Sequence, residues 1–193
     1  ALTLAFRRHF DLPAISRVGG GGCKLSVFSR TTYTLDIEIC QLSKTEGTAC
    51  GDYYDSFIDK SGIAYVVLSD GSGSRARVDS SFACGMLIRL LQAGVGIDAA
   101  INVINTSLMC KSSDESFATL EICAVDLYSG KTDLYKAGSA NTYIKCGSRC
   151  MRLGCKGLPV GVKDEPVYDR RTFTIGNRDM IVITSDGAEL NEK

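Results

Sequence analysis

An apolar segment that stops on Ser-Asp-Gly occurs twice in this chain, as IAYVVLSDG at residues 63–71 and as MIVITSDGAE at residues 180–189. Runs this apolar predict strands buried on both faces, and each of them ends on an aspartate, Asp70 or Asp186. Asp52, directly after a glycine, supplies a third carboxylate at the edge of the preceding strand. The chain must therefore fold so that carboxylates lie at the ends of buried strands.

Carboxylates at strand ends are suitable ligands for hard divalent cations. Mg²⁺ and Mn²⁺ prefer oxygen ligands and keep several waters, so a few carboxylates on neighbouring strands are enough. Gly71, directly after Asp70, leaves its backbone carbonyl open to such an ion, and a pair of ions can clamp a phosphoryl oxygen during in-line attack. Asp-Gly is also a common turn dipeptide. The repetition, with serine before each copy, favours a metal site over two ordinary turns.

The glycine-rich turn after Asp70 has a second interpretation. Residues 71–76, GSGSRA, match the dinucleotide-binding pattern G-x-G-x-x-A, which follows a strand and opens a helix. That pattern also requires the helix to feed a parallel strand that ends on an acidic residue about 20 positions further on. Here the helical pattern meets Gly94 and a second helical pattern, and no strand is predicted before Phe117. The order of elements therefore favours the metal site.

The order of the predicted elements indicates an α+β fold. Apolar and polar residues alternate over residues 33–42, and strands are also predicted at residues 50–59 and 63–68. Apolar residues at helical spacing predict a helix over residues 76–94 and a second one capped by Asp98. Strand patterns return at residues 117–128, 132–137, 142–145, 167–175 and 180–184. Strands, two helices and strands again favour a sandwich over a βαβ alternation.

The composition is that of one globular domain spanning residues 1–193. The chain is 45% hydrophobic, enough for one core, and we assign residues 1–22, which end in four glycines, to an N-terminal arm or linker. Twenty-two basic and twenty-two acidic residues give no net charge, which argues against nucleic acid or an anionic membrane as a partner. Nine cysteines, several of them within apolar patterns, fit a reducing compartment.

The ends and the hydropathy of the chain give two further expectations. No apolar run reaches the length of a membrane span, so we expect no membrane contact by this fragment. The chain starts at Ala1 rather than at a methionine, which indicates a piece of a longer protein.

Few other side chains offer chemistry. His9, the only histidine, lies in the N-terminal arm, so the sequence gives little support for a catalytic Ser-His or Cys-His pair. The three cysteines within residues 146–155 lack a C-x-x-C spacing, which favours core or surface thiols over zinc ligands. Arg75 and Arg77 follow the first aspartate and are candidates to hold a substrate phosphate, with solvated first-turn residues of a helix as the alternative.

Several segments along the chain occur in an order known from one family. They are Gly51-Asp52, VVLSDG at 66–71 with Arg75-Ala76, LEICAVDL at 120–127, Gly138-Ser139 with Tyr143-Ile144-Lys145, LPVG at 158–161, and Ser185-Asp186-Gly187. The series, which covers residues 33–187, resembles the phosphatase domain of stage II sporulation protein E. That family is a branch of the type 2C metal-dependent serine/threonine phosphatases.

The resemblance implies a fold, an activity and a set of site residues. It implies a central β-sandwich flanked by helices (αββα), two manganese or magnesium ions, and hydrolysis of phosphoserine on an anti-anti-sigma factor, as part of sigma-factor regulation in sporulation. By matching motifs, Asp70 bridges both metals, Gly71 offers its carbonyl, Asp186 binds one metal and Asp52 supports the second. Asp70 and Asp186 are then the residues on which catalysis depends.

The resemblance also bears on location, assembly and activity. Full-length members carry a membrane-spanning region ahead of this domain, which implies a cytoplasmic domain of a membrane-anchored protein, and a homodimer is left open. The loop between Asp70 and Arg75 is two residues shorter than the family pattern. A further metal-binding aspartate of the family comes from a strand after the position of Lys193. The alternative to an enzyme is therefore a catalytically silent phosphatase-like module that binds a protein partner.

Overall fold

The computed structural model describes residue 6 and residues 8–43, 49–71, 75–110 and 116–188. Most of the apolar-basic start of the N-terminal arm, the Ser72-Gly73-Ser74 part of the glycine-rich turn, and Glu189 at the end of the second repeat copy lie outside these ranges. Among the helices of the described ranges, none has the length and apolar character needed to cross a bilayer.

A five-stranded antiparallel sheet forms the centre of the fold. β7 (Leu120–Asp126) is buried along all but its last residue, as its apolar sequence predicts for a strand covered on both faces. β6 (Ile63–Asp70) and β8 (Lys131–Ala137) pair with β7 on either side. β5 (Asp52–Ile58) and β11 (Asp169–Thr174) form the outer edges.

A second antiparallel sheet has three strands. β9 (Thr142–Cys146) is its centre and pairs with β10 (Arg149–Leu153) in a hairpin. β12 (Met180–Ile183), the strand that leads into the second Ser-Asp-Gly, pairs with the other edge of β9. The two copies of the repeated motif therefore end strands of two different sheets.

Two helices cover one face of the five-stranded sheet. α1 (Ala76–Gln92) packs on β5 and β6, and α2 (Ile97–Cys110) packs on α1. α1 ends where Gly94 takes a φ of +84° and its N–H donates to the Leu91 carbonyl at 2.9 Å, a termination that favours glycine. The buried side of α2 carries apolar residues at helical spacing, as predicted: Ala100, Ile101, Ile104 and Leu108.

Two clusters of buried apolar side chains give the molecule its layers. The first lies between the helices and the five-stranded sheet and includes Val67, Leu87, Ile101, Ile104 and Ile122. The second lies between the two sheets and joins Ala64, Cys123, Val125 and Leu134 to Leu153, Ile181 and Ile183. Each fully buried leucine or isoleucine contributes about 1.5–3 kcal/mol relative to an exposed one. The predicted α+β sandwich is confirmed.

Residues 9–30 form two short two-stranded sheets that are mostly exposed. β1 (His9–Phe10) pairs with β4 (Ser29–Arg30), and β2 (Ala14–Val18) pairs with β3 (Gly22–Ser26). Gly20 and Gly21 form the turn between β2 and β3 with φ values of +88° and +84°. The run of glycines is therefore a hairpin turn, because glycine adopts positive φ without strain.

Two local predictions were wrong, and strand β10 was not predicted. The alternating residues 33–42 form no strand in the described chain. At the start of this segment, the N–H groups of Thr32 and Tyr33 both donate to the Leu127 carbonyl, and further along Ile39 is 50% exposed. Asp98 does not cap α2 but lies in its first turn, where its carboxylate accepts the Tyr168 hydroxyl at 2.6 Å. β10, with its exposed RCMRL sequence, has no apolar alternation that would predict a strand.

Candidate metal centre

Asp70 lies at the point where the two sheets meet the start of the helical layer. Side chains alternate along β6, so Asp70 shares the face of Ala64 and Val66, which pack between the two sheets. Asp52 is its direct partner in the register of β5 and β6. Asp186 opens a short 3₁₀ turn, Asp186–Ala188, after β12 of the other sheet. The carboxylate of Asp70 interacts with those of both Asp52 and Asp186.

Crowding of these acids changes the protonation of Asp70. Burial and the neighbouring carboxylates of Asp52 and Asp186 raise the pKa of Asp70 to about 7. Each of the three effects disfavours the charged form, because a carboxylate loses hydration on burial and is repelled by like charges. A bound divalent cation would reverse this balance, since it favours the ionised form of every carboxylate around it.

The backbone at Asp70 is held by a threonine from the strand region beside it. The Asp70 N–H donates to the Thr119 hydroxyl at 2.9 Å, and the Thr119 N–H donates to the Asp70 carbonyl at 2.7 Å. The fully buried Ser69 donates its hydroxyl to the Thr119 carbonyl at 2.7 Å. Three hydrogen bonds to one residue fix the end of β6, so the carboxylate of Asp70 leaves the sheet in a defined direction.

Two glycines make room beside Asp70. A Cβ on Gly71 would lie 1.9 Å from the Ala76 carbonyl oxygen, so only glycine allows the loop to pass this close to the first turn of α1. A Cβ on Gly51 would lie 3.8 Å from Asp70 Oδ1 and 3.9 Å from the Gly71 carbonyl oxygen. Asp70 Oδ1 and the Gly71 carbonyl oxygen therefore face the same gap. These are the two oxygen ligands that the sequence predicts for a cation at this site.

Asp52 is held in place from three directions. Ser185 donates its hydroxyl to Asp52 Oδ2 at 2.7 Å, which ties the second Ser-Asp-Gly copy to β5. Gln41 Nε2 and Arg77 Nη1 donate to the Asp52 carbonyl at 2.9 and 3.1 Å. Arg77 Nη1 also donates to the Cys50 carbonyl at 3.2 Å. The serine that precedes the aspartate in the repeated motif therefore has a direct part in the site.

The two arginines predicted for substrate phosphate lie at the start of α1. Arg75 is exposed and directly precedes the helix, and Arg77 is in the first turn with its guanidinium 5.3 Å from the Tyr53 ring. The contacts of Arg77 with carbonyls of β5 make it an organiser of the Asp52 strand. Arg77 therefore lies on the Asp52 side of the carboxylate cluster.

The ligand atoms of this site are of the type that a hard cation prefers, but they are too few to fill its coordination sphere. Asp52, Asp70, Asp186 and the Gly71 carbonyl offer only oxygen, the ligand type that Mg²⁺ and Mn²⁺ prefer. Within the described ranges, no three or more His, Cys, Asp or Glu side chains form a ready-made metal cluster. The carboxylates instead meet in pairs that share Asp70. Waters and the open carbonyl would have to supply the remaining ligands, as Mg²⁺ sites commonly require.

The dinucleotide interpretation conflicts with the topology around the glycine-rich turn. β6, the strand before that turn, pairs antiparallel with β5 and with β7. α1 leads into α2 and not into a parallel neighbour of β6. The βαβ unit that a dinucleotide site needs is therefore not formed around this turn.

Thr119 and Gln41 are the site neighbours that the sequence did not indicate. Both act through hydrogen bonds to the backbone of an aspartate that is distant in the sequence, and no local motif marks them. Only the pairing of residues 118–119 with residues 70–71 and 160 brings Thr119 to Asp70.

The layers and the carboxylate cluster define the class of fold, that of PP2C phosphatase domains. The chain superposes on a structure of the PP2C phosphatase domain with a fragment of the regulatory domain of SpoIIE from Bacillus subtilis, with a TM-score of 0.79 at 24% identity, covering 94% of this chain and 54% of that one. RsbX in complex with magnesium matches with a TM-score of 0.65 at 20% identity, over 79% of this chain and 74% of that one. At these identities the likeness concerns the fold.

The sequence profile of the family "Stage II sporulation protein E (SpoIIE)" matches residues 61–190. This chain belongs to the stage II sporulation protein E family. It is 30% identical over 169 residues to stage II sporulation protein E of Priestia megaterium and 28% identical over 162 residues to that of Bacillus subtilis. These matches cover 86% and 82% of this chain but only 29% and 20% of the two relatives.

Proposed function

We propose that this chain is a metal-dependent protein serine/threonine phosphatase domain that hydrolyses phosphoserine on a regulator of the anti-anti-sigma-factor type in sporulation. The observation that carries the proposal is the meeting of Asp70 with Asp52 and with Asp186, which come from two different sheets. Membership of the stage II sporulation protein E family supports the class of reaction. Neighbours in fold include a PP2C phosphatase domain and RsbX with magnesium, which supports a divalent cation.

The proposed cofactors are two Mn²⁺ or Mg²⁺ ions. Asp70 would contact both, Asp186 one, and Asp52 would support the other, with the Gly71 carbonyl as a further ligand. When bound, such ions provide a nucleophilic water at neutral pH and neutralise charge on the phosphoryl group during in-line attack. The oxygen-only donor set of the cluster and the gap beside Gly51 support this assignment.

The residues of the chain itself orient the site. Thr119 fixes the backbone of Asp70, and Ser185 fixes the carboxylate of Asp52. Arg77 holds the carbonyls of Cys50 and Asp52, which keeps the start of β5 against α1. We propose Arg75 and Arg77 as contacts for the substrate phosphate, because guanidinium groups pair with phosphate oxygens and both residues lie at the start of α1, shortly after Asp70.

We further propose that this domain belongs to a longer, membrane-anchored protein and works on the cytoplasmic side. The short coverage of the curated relatives supports a longer protein. The proposed partner is a phosphorylated protein, which is the kind of substrate that membership of the stage II sporulation protein E family supports.

One observation favours a second candidate, a catalytically silent phosphatase-like module. Within the described residues the carboxylates fall short of a ready-made metal cluster. A module of this kind would bind its protein partner without hydrolysis and signal by a change of conformation.

Hydrolysis of a phosphoserine peptide by the full-length protein separates the two candidates. We expect turnover that depends on Mn²⁺, that is lost in Asp70→Asn, and that is retained in Asp164→Asn, which changes an exposed carboxylate far along the chain. Absence of Mn²⁺-dependent turnover in the full-length protein would rule out the enzyme and leave the silent module.

A further inference from the structure

A fully buried ion pair lies between the two sheets, outside the carboxylate cluster. Glu121 of β7 and Lys136 of β8 are cross-strand partners, both with fully buried side chains, and Lys136 Nζ lies 2.8 Å from Glu121 Oε2. Burial raises the pKa of Glu121, and the neighbouring Lys136 ammonium opposes that rise. A buried ion pair is weak evidence for stability, because apolar residues of similar volume often do as well. Its presence in the sandwich therefore needs another reason.

Both residues of the ion pair lie in the five-stranded sheet, but their hydrogen bonds reach the three-stranded sheet. Lys136 Nζ donates to the Ala140 carbonyl at 2.7 Å and to the Thr142 hydroxyl at 2.6 Å. The Thr142 hydroxyl in turn donates to Glu121 Oε1. Thr142 is the first residue of β9, the central strand of the second sheet. The ammonium thus fixes where β9 starts relative to the five-stranded sheet.

From β9 the connection continues to Asp186. The Asn141 carbonyl, between the two residues that Lys136 binds, accepts the Thr184 hydroxyl at 2.8 Å. Thr142 is paired with Ile183 in the register of β9 and β12. Thr184 is followed by Ser185, which binds Asp52, and by Asp186. On the other side, Glu121 lies two residues after the threonine that clamps Asp70. The pair therefore joins the two segments that carry Asp70 and Asp186.

We propose that the Glu121–Lys136 ion pair, with Thr142, is a positioning device that sets where the Asp186 turn lies relative to Asp70 and thereby tunes the affinity of the carboxylate cluster for a divalent cation. This deepens the proposed function and rests on it for the cation, while the positioning itself is a property of the metal-free fold. Groups that orient metal ligands from behind commonly change metal affinity by about 10–100-fold when removed.

The test uses variants that keep the core filled. Glu121→Leu/Lys136→Met removes both charges together, which avoids leaving one buried charge unpaired. Thr184→Val removes only the hydroxyl that links β12 to the Asn141 carbonyl. The control is Asp133→Asn/Arg170→Met, which removes an ion pair at 3.3 Å between β8 and β11, at the edge of the five-stranded sheet. Each variant is compared with the wild type in the full-length protein.

The first measurement is amide hydrogen exchange without metal. We expect residues 180–188 to exchange roughly fivefold to tenfold faster in the double variant and in Thr184→Val, as loss of one or two hydrogen bonds predicts for local opening, while β7 exchanges as in the wild type. A role in stability alone would instead raise exchange over the whole sandwich. Uniform acceleration, or unchanged exchange of residues 180–188 in a folded double variant, would overturn the proposal.

The second measurement is Mn²⁺ affinity, read from the paramagnetic resonance signal of free Mn²⁺. We expect the affinity for Mn²⁺ to fall by roughly tenfold or more in both test variants and to stay unchanged in the control. Local loosening with unchanged Mn²⁺ affinity would overturn the link between the ion pair and the cation. If the wild type itself binds no Mn²⁺, the proposed function fails, and the exchange measurement alone upholds or overturns the positioning role.

Discussion

Asp52 and Asp70 are direct cross-strand partners on β5 and β6, so the fold places two carboxylates side by side and brings a third, Asp186, against one of them. Like charges directly opposite one another destabilise an antiparallel pair. A sheet end that keeps this repulsion is typical of a functional site, because such sites hold charge arrangements that cost stability.

Removal of the charge at Asp70 is predicted to have opposite effects without and with metal. Without metal, Asp70→Asn relieves repulsion from Asp52 and Asp186, and we expect the melting temperature to rise by about 2–4 °C, the shift that 1 kcal/mol gives in a domain of this size. With millimolar Mn²⁺, the wild type should gain stability and the variant should not, since binding to the folded state raises its stability. Scanning calorimetry with and without Mn²⁺ measures both effects.

The control for this experiment is Asp164→Asn, at an exposed carboxylate. It should melt like the wild type in both conditions. A metal-free Asp70→Asn that melts below the wild type would show that the carboxylate cluster is not a repulsive one.

The backbone clamp on Asp70 is predicted to depend on one hydroxyl. Thr119→Val keeps the side-chain shape but leaves the Asp70 N–H without its acceptor, which costs about 1–3 kcal/mol for a buried donor. Thr119→Ser keeps the hydroxyl and should restore most of the loss. The readout is the urea midpoint, together with the Mn²⁺ concentration for half-maximal turnover. Equal behaviour of the valine and serine variants would mean that the hydrogen bond has no part in holding Asp70.

Glycine is predicted to be required at position 71 and dispensable at position 85. A methyl group on Gly71 would collide with the Ala76 carbonyl at 1.9 Å, whereas a methyl group on Gly85, in the middle of α1, meets no atom within 4 Å. Gly71→Ala should therefore lower the melting temperature and weaken Mn²⁺ binding. Gly85→Ala should stabilise the protein by about 0.5–1 kcal/mol, because alanine favours a helix over glycine. The predicted requirement for glycine at position 71 is contradicted if Gly71→Ala binds Mn²⁺ like Gly85→Ala and the wild type.

Much of this architecture was predictable from periodicity. The apolar runs that became β6, β7 and β12, the helical spacing of α1 and α2, and the two Ser-Asp-Gly strand ends are local signals. For β7 this works because burial on both faces demands unbroken apolar sequence. β12 is instead an edge strand with Met180 56% and Val182 42% exposed, so the expectation that it is buried on both faces was wrong. The fold class followed from the order of these elements, and the two sheets brought the three predicted aspartates into one place.

The remaining features depend on partners that are distant in the sequence. Residues 33–42 alternate like a strand but find no sheet edge within the described chain, so alternation alone misled. β10 is polar and exposed, and it is a strand only because the hairpin from β9 supplies its hydrogen bonds. Thr119 contacts Asp70 at the end of β6, and Lys136 contacts Thr142 at the start of β9. No local pattern encodes either of these tertiary contacts.

Acid stability is predicted to depend in part on Asp169. The Lys156 N–H donates to Asp169 Oδ2, and this bond, with one from the Gly157 N–H at 3.2 Å, holds the pKa of Asp169 below its usual value. The pKa of an aspartate in an unfolded chain is about 3.9. Because the folded value is lower, this contribution is fully present above that pH and is lost as the pH falls through the folded value.

The variant Asp169→Asn isolates this contribution. Metal-free protein should unfold more easily in the variant at pH 7, and the difference from the wild type should shrink as the pH falls from 5 to 2. Urea unfolding at a series of pH values measures it. A difference that stays constant down to pH 2 would contradict the assigned role of the carboxylate.

Mn²⁺ binding to the full-length protein, followed by paramagnetic resonance in the wild type and in Asp52→Asn, Asp70→Asn and Asp186→Asn, tests the central claim most directly. The account predicts saturable binding in the wild type that Mg²⁺ displaces, with the largest loss in Asp70→Asn because this carboxylate contacts both of the others. Binding of equal strength in the wild type and in Asp70→Asn would contradict it.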